Sequence, residues 1–354
     1  MANLLDYLAQ YGDRPFSSRP LTIVDAAILA QLAYCPLHGS GQLASLSPQQ
    51  QTALAAGTWA QADNRRLLAQ VTTCRRYRQV AWLAPVALND PAQEQAFSAI
   101  TWQLAPELYY LSFRGTRATF VDWKEDFNMT FLTAIPSQTA ASRYFTDIAA
   151  AYPGEYYLGG HSKGGTLATY AAVHAKAALQ PKIRMAYNFD GPGLQQPLPM
   201  NGHYLKLVPQ NSLIGMILDP TQDFGVVASQ ASGIRQHDLF TWQTHQTDFV
   251  YLSATDRSSQ QLQKMLANWL ASLDDATKQQ ALNAAYAVIT ATQKESFAEL
   301  RRTPLTTTKA LLTGLRQTQA ADHAAWRAVL NALLHALITT AWRRQVPRET
   351  SPHH

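Results

Sequence analysis

At 354 residues the chain exceeds a typical single domain, and its 47 % apolar content supplies a full core. Charged residues make up only 15 %, which excludes extended disorder apart from the ends, and a formal charge of +5 is too modest and too dispersed for a nucleic-acid binder. The two cysteines, Cys35 and Cys74, are too few for a disulfide framework and too far apart for a CxxC metal or redox pair.

The opening MANLLDYLAQYGDRPF has an acid at Asp6, no basic start and no sustained apolar run, so it does not read as a signal peptide. No apolar stretch reaches membrane-spanning length, and a cytoplasmic protein is the expectation. Residues 1–75 read as a helical segment packed on the core. Thr22 is placed to cap a helix through Leu32 that ends at His38-Gly39-Ser40-Gly41, and Ser47-Pro48 opens another by the proline-at-first-turn rule.

From 76 to 257, β-rich runs alternate with helices, the pattern of an α/β layered sheet. The expected strands are Val80–Val86, Ala96–Gln103, Leu108–Phe113, Tyr156–Gly159, Ile183–Phe189 and Tyr204–Val208. The second and third, joined by Leu-Ala-Pro-Glu, suggest an antiparallel hairpin; the later ones, separated by helices, should be parallel. A last hairpin is expected between Leu239–Gln243 and Phe249–Leu252. Residues 258–345 read as a helical extension and 346–354 as a flexible tail. In the final helix Trp326, Leu330, Leu333, Leu337 and Ala341 form a stripe fit for docking on the core or on a partner. Basic residues gather from Arg301 to Arg348, opposed only by Asp322 and Glu349. They form a solvated face or a peripheral contact with an anionic membrane surface.

Chemistry concentrates in Tyr156-Tyr157-Leu158-Gly159-Gly160-His161-Ser162-Lys163-Gly164-Gly165, which contains Gly160-x-Ser162-x-Gly164. An apolar β-run precedes this motif and an Ala-rich helix follows, the context of a nucleophile elbow. A serine on a sharp strand-to-helix turn is lifted above the sheet, and the helix start offers N–H groups to a developing negative charge. Phe113-Arg114-Gly115-Thr116 ends an upstream strand on the same rim, where ligands of open α/β sheets gather. Thr116 there, and the N–H of Lys163, are the candidate oxyanion donors.

FRGT followed by Asp122-Trp123 and Asp126, then GHSKGG, resembles the lipase class 3 branch of the α/β-hydrolase superfamily. Trp-Lys-Glu-Asp-Phe, with Asp190-Gly191-Pro192-Gly193 and Gln236-His237-Asp238, is similar to a bacterial lipase-like subfamily. The resemblance spans Ala26 to Leu252 and leaves the helical C-terminus unexplained. It implies a mostly parallel sheet flanked by helices, a Ser/Asp/His triad, an oxyanion Thr116, and hydrolysis of acyl esters. Trp123 and Asp126 would then brace the oxyanion loop.

A serine needs an imidazole to accept its proton, and in this fold the base comes last in the chain. His161 sits on the elbow and should point elsewhere; His174, His323, His335 and the tail histidines fall in helices or at the end. That leaves His203, His237 and His245, of which His237 follows a polar loop and matches the family pattern. Where that pattern has an aspartate, after Tyr204–Val208, this chain reads Pro209-Gln210-Asn211-Ser212. Asp190, at the end of the preceding strand, is the favoured replacement; Asp223 is the alternative, with Asp219 or no acid behind it. Without HExxH, clustered Cys/His, a Walker loop or a complete GxGxxG, no metal or other cofactor is expected. The expected substrate is an acyl ester or lipid, and the competing expectation is an inactive scaffold that binds lipid or a protein.

Overall fold

The computed structural model describes residues 1–117, 120–194, 203–219 and 223–257, with further positions scattered between 259 and 283; the side chains of Phe120 and Trp123 are outside that description. The chain divides into two units, Met1–Arg117 with Val121–Ser272, and Ala118–Phe120 with Leu273–His354. In the second unit the described positions between Asp275 and Asn283 are helical. The apolar stripe and basic run expected near the C-terminus lie outside the described residues.

The first unit opens with helices α1 (Leu4–Tyr11) and α2 (Ile23–Leu32), the short strand β1 (Gly41–Gln42), and helices α3 (Pro48–Ala56) and α4 (Gln61–Thr73). Thr22 and Asp25 cap α2 reciprocally, and Ser47 and Gln50 do the same for α3, with Pro48 in its first turn. Helix α2 is apolar apart from Asp25 and Gln31 and is buried from Val24 to Leu32, as a helix laid against a sheet and covered by its neighbours must be. Asp25 anchors this layer. Its carboxylate accepts from Arg76 Nε at 2.8 Å, Tyr7 at 3.0 Å and Tyr77 at 2.6 Å, while Arg76 also donates to the carbonyls of Arg14, Arg19 and Pro20. The buried guanidinium is thereby compensated on every side.

Next come β2 (Ala81–Asp90), β3 (Gln95–Ala105) and β4 (Leu108–Phe113), all antiparallel neighbours. Helices α5 (Phe120–Asn128) and α6 (Pro136–Ala151) lead to β5 (Glu155–His161), α7 (Lys163–Val173), β6 (Ile183–Phe189), β7 (Tyr204–Pro209) and β8 (Gly225–Val227). Strands β4 to β8 are parallel in sequence order. A small hairpin pairs β9 (Thr244–His245) with β10 (Asp248–Phe249), and β11 (Tyr251–Leu252) closes the main sheet antiparallel to β8. The main sheet thus has the expected α/β layering, with a parallel centre from β4 to β8, antiparallel strands on either side and helices flanking it.

Two expectations differ. Leu239–Gln243 is not a strand: Asp238 accepts the Phe240 N–H at 3.0 Å and turns Leu239–Thr241 into a 3₁₀ helix. The edge partner of Tyr251–Leu252 is instead Gly225–Val227, a run too short to stand out as a strand.

Alternation along β4 sorts the core into two layers. Leu111 and Phe113 pack with Phe145, Ile148, Leu167 and Ala168 of α6 and α7. Tyr110 and Ser112 face the other way and donate to the α2 carbonyls of Ala26 and Leu29, each at 2.9 Å. Tyr109 and Tyr110 are both buried core. The loops that leave the carboxyl ends of β4 to β7 therefore share one rim.

Candidate active site

On that rim Ser162 adopts φ 58° and ψ −135°, a left-handed conformation that a serine takes only when its surroundings impose it. Its N–H donates to Phe189 O at 2.9 Å, and its carbonyl receives Gly165 N–H at 2.9 Å. A Cβ on Gly160 would collide with the Gly164 backbone, and one on Gly164 with Phe113 O. The two glycines of the motif thus let β5, the first turn of α7 and the end of β4 touch through bare backbone. Residues 114–116 cross directly over the elbow: a Cβ on Gly115 would clash with Tyr34 Oη and His161 O and lie 3.1 Å from Ser162 Cβ.

His237 and Asp190 meet. His237 Nδ1 lies 2.7 Å from Asp190 Oδ2, with the imidazole 20 % exposed and the carboxylate buried. Asp190 also has left-handed backbone (φ 51°), which turns its side chain off the end of β6 toward the rim. Its other oxygen accepts from Ser212 Oγ and, at 3.2 Å, from Gly215 N–H. Ser212 belongs to the loop after β7 in which the resemblance implies an acid, and its hydroxyl supports the Asp190 carboxylate instead. The remaining candidates lie apart. Asp219 pairs with buried Lys206 at 2.6 Å, and Asp223 is exposed. His203 is exposed at the amino end of β7, away from the rim, and His245 is exposed in the small hairpin.

The His161 ring lies against Tyr34 and the His237 backbone, and these neighbours give it work that sequence alone does not reveal. Buried to 1 %, it lies 2.6 Å by Nε2 from His237 O and 3.0 Å by Nδ1 from Tyr34 Oη. Burial, reinforced by His237, holds its imidazole well below the usual histidine range, so it is neutral, donating from Nε2 and accepting at Nδ1. The His237 segment is pinned further by Gln236, which bonds Asn211 at 2.8 and 2.7 Å, and by Trp242 Nε1 donating to Gln236 O at 2.8 Å.

The Lys163 side chain runs beneath the elbow into an acidic pocket on α5. Its ammonium lies 3.0 Å from Glu125, 3.4 Å from Asp122 and 3.9 Å from Asp126, and donates to Ala96 O at 3.1 Å. Burial works against this cation, but the three carboxylates outweigh it and raise its pKa. Asp126 in turn accepts the Thr116 hydroxyl at 2.5 Å. Trp123 lies on the same helix, its side chain outside the described residues.

Burial raises the Asp126 carboxyl to about 7, against the pull of Lys163 and Thr116. Between about pH 4, where an unfolded aspartate ionises, and about pH 7 the folded protein keeps a proton that the unfolded chain has lost. Its unfolding free energy therefore falls as pH rises through that window and levels off above it. Thermal melts of wild type and Asp126→Asn across this range should show wild type losing ground steadily. A constant difference between the two would contradict the assignment.

A family model described as Mbeg1-like matches residues 71–287, well over half of the chain. The chain belongs to the Mbeg1-like family. Among solved structures, it is similar to M37 lipase (TM-score 0.37, 12 % identity, covering 54 % of this chain and 68 % of that one). Similar too are a fungal lipase (TM-score 0.41, 12 % identity, 65 % and 84 % covered) and lipase II from Rhizopus niveus (TM-score 0.35, 13 % identity, 65 % and 82 % covered). No curated protein matches the chain. The Mbeg1-like match takes in the 160–164 elbow, the 114–116 loop, Asp190 and His237, whereas Tyr34 lies ahead of it. Among the described residues no helix is long and apolar enough to cross a membrane.

Proposed function

We propose that this Mbeg1-like protein is a serine hydrolase of carboxylic esters. The observation that carries the reading is the 2.7 Å bond between His237 Nδ1 and buried Asp190, on the rim where left-handed Ser162 stands. With Nδ1 held by the carboxylate, Nε2 is the nitrogen left to take the Ser162 proton as the hydroxyl attacks the ester carbonyl. Asp190 steadies the imidazolium that results without taking a proton itself. The same proton then passes to the leaving alcohol, and water releases the acyl group by the reverse sequence.

The oxyanion falls to backbone donors. Lys163 is the first residue of α7, so its N–H has no acceptor within the helix. The Thr116 hydroxyl is engaged by Asp126, so this residue offers its N–H instead. Loss of one such donor typically costs about 10²–10³ in turnover. An acyl ester with an apolar acyl group is the proposed substrate.

A fluorophosphonate probe tests the reading by modifying an activated serine covalently. Wild type should be labelled; Ser162→Ala should not, and His237→Ala should label at least about 10²-fold more slowly. An unlabelled wild type, or labelling that survives in Ser162→Ala, sinks the proposal.

A further inference from the structure

Among the described residues, the other buried cations are met by acceptors. Arg76 has Asp25 and three carbonyls, Lys163 has three carboxylates, and Lys206 has Asp219. Arg114 departs from that rule. It is only 7 % exposed, and its backbone N–H donates to Ser98 O at 2.9 Å, yet among the described residues its guanidinium makes no hydrogen bond or ion pair, and its Nε is sealed without a partner. Burial, with the like charge of Arg117, lowers its pKa to about 10, which still leaves it charged at neutral pH. Asp122 and Tyr34 act on it electrostatically without bonding to it; the Asp122 carboxylate is already shared between Lys163 at 3.4 Å and Arg117 at 3.9 Å.

An uncompensated buried guanidinium costs several kcal/mol and persists where function requires it. Arg114 directly precedes Gly115, which packs on Ser162, and half-exposed Arg117 follows two residues later. We infer that Arg114 and Arg117 form an anion subsite beside the nucleophile, and that the ester cleaved there carries a phosphate or carboxylate group near its acyl bond. The planar fork of an arginine suits such oxyanions. Only Nε of Arg114 is sealed without a partner, so its terminal amino groups are the atoms that reach the ligand. The substrate half of this inference rests on the hydrolase reading; the anion subsite does not.

Calorimetry with inorganic phosphate on the full chain reads the subsite without turnover. Wild type should bind it, and Arg114→Met should bind it at least about tenfold more weakly. Kinetics then read the substrate class. The ratio of kcat/KM for 1-butyrylglycerol 3-phosphate to that for 1-butyrylglycerol should be roughly 10–100 in wild type. It should fall by about tenfold or more in Arg114→Met, with Arg114→Lys between. The methionine variant replaces an unpaired buried charge with an apolar side chain of similar length, so its Tm should equal or exceed that of wild type.

A clear drop in Tm would make the guanidinium a structural strut and overturn both halves. Phosphate that binds neither protein, or both alike, overturns the subsite. Phosphate bound through Arg114 without preference for the phosphorylated ester overturns the substrate assignment. If neither ester is hydrolysed while Arg114-dependent phosphate binding persists, the hydrolase reading fails and the subsite stands.

Discussion

Asp190→Asn is expected to lower kcat for an ester substrate about 10⁴-fold while the protein stays folded, because an amide in that place lets the imidazole hold the wrong tautomer. Asparagine can still accept from Ser212 and Gly215, which contact only one of the two carboxylate oxygens. The other oxygen faces His237 Nδ1 at 2.7 Å, and there the substitution presents an N–H that repels the ring N–H. The neutral amide also fails to stabilise the imidazolium formed during attack. Ester turnover by Asp190→Asn, Asp223→Asn and wild type, with circular dichroism as the control for folding, decides the matter. Activity in Asp190→Asn within tenfold of wild type, or a collapse in Asp223→Asn instead, would dismiss the proposed triad.

Lys163→Met is expected to destabilise the fold by about 3–5 kcal/mol, the cost of leaving buried charges uncompensated. Methionine nearly matches the lysine stem in length, so packing changes little and the effect isolates the ammonium. Without it, Asp122, Glu125 and Asp126 lose the ammonium they share, and among the described residues only Asp122 keeps another cation, Arg117, at 3.9 Å. Glu125 also receives the N–H groups of Ala96 at 3.0 Å and Ser137 at 2.9 Å, so its displacement would disturb the starts of β3 and α6 together. Adding Glu125→Gln removes one of the stranded charges, and the double variant should recover part of the loss. Urea denaturation of the four proteins closes this cycle. Strictly additive losses would mean that the lysine and the glutamate do not depend on each other.

Much of the fold is legible in the residues because the signals are local. The β-runs end in turn residues, Thr22 and Ser47-Pro48 announce their helices, and the glycines of GHSKGG fit a turn where backbone meets backbone. The misread segments are those decided at short range by one side chain or at long range by a partner. Asp238 turns a β-rich string into a 3₁₀ helix, and Gly225–Val227 becomes a strand only because β7 and β11 lie beside it. The site follows the same division. Ser162, Asp190 and His237 stand out as candidates from their places in the chain. The preference for Asp190 over Asp223 acquires a physical basis only through Ser212 and Gly215, which lie over twenty residues downstream of Asp190 yet contact its carboxylate. Lys163 reads in sequence as a polar residue at a helix start, and nothing local announces that its ammonium dives into α5. Tyr34 belongs to no recognisable motif and His161 occupies only a variable position of the elbow; their meeting behind His237 gives them a role.

The hydroxyl of Tyr34 reaches the reactive rim from a segment that precedes the family match altogether. An expression fragment trimmed to the matched boundaries would keep every proposed triad and oxyanion residue, yet lose the outer support of the imidazole that props His237. It would also strip away the helix on which Tyr110 and Ser112 rest. Minimal versions of this protein should therefore begin ahead of its first helix, and a silent fragment starting near residue 71 would testify to poor trimming, not to a missing enzyme.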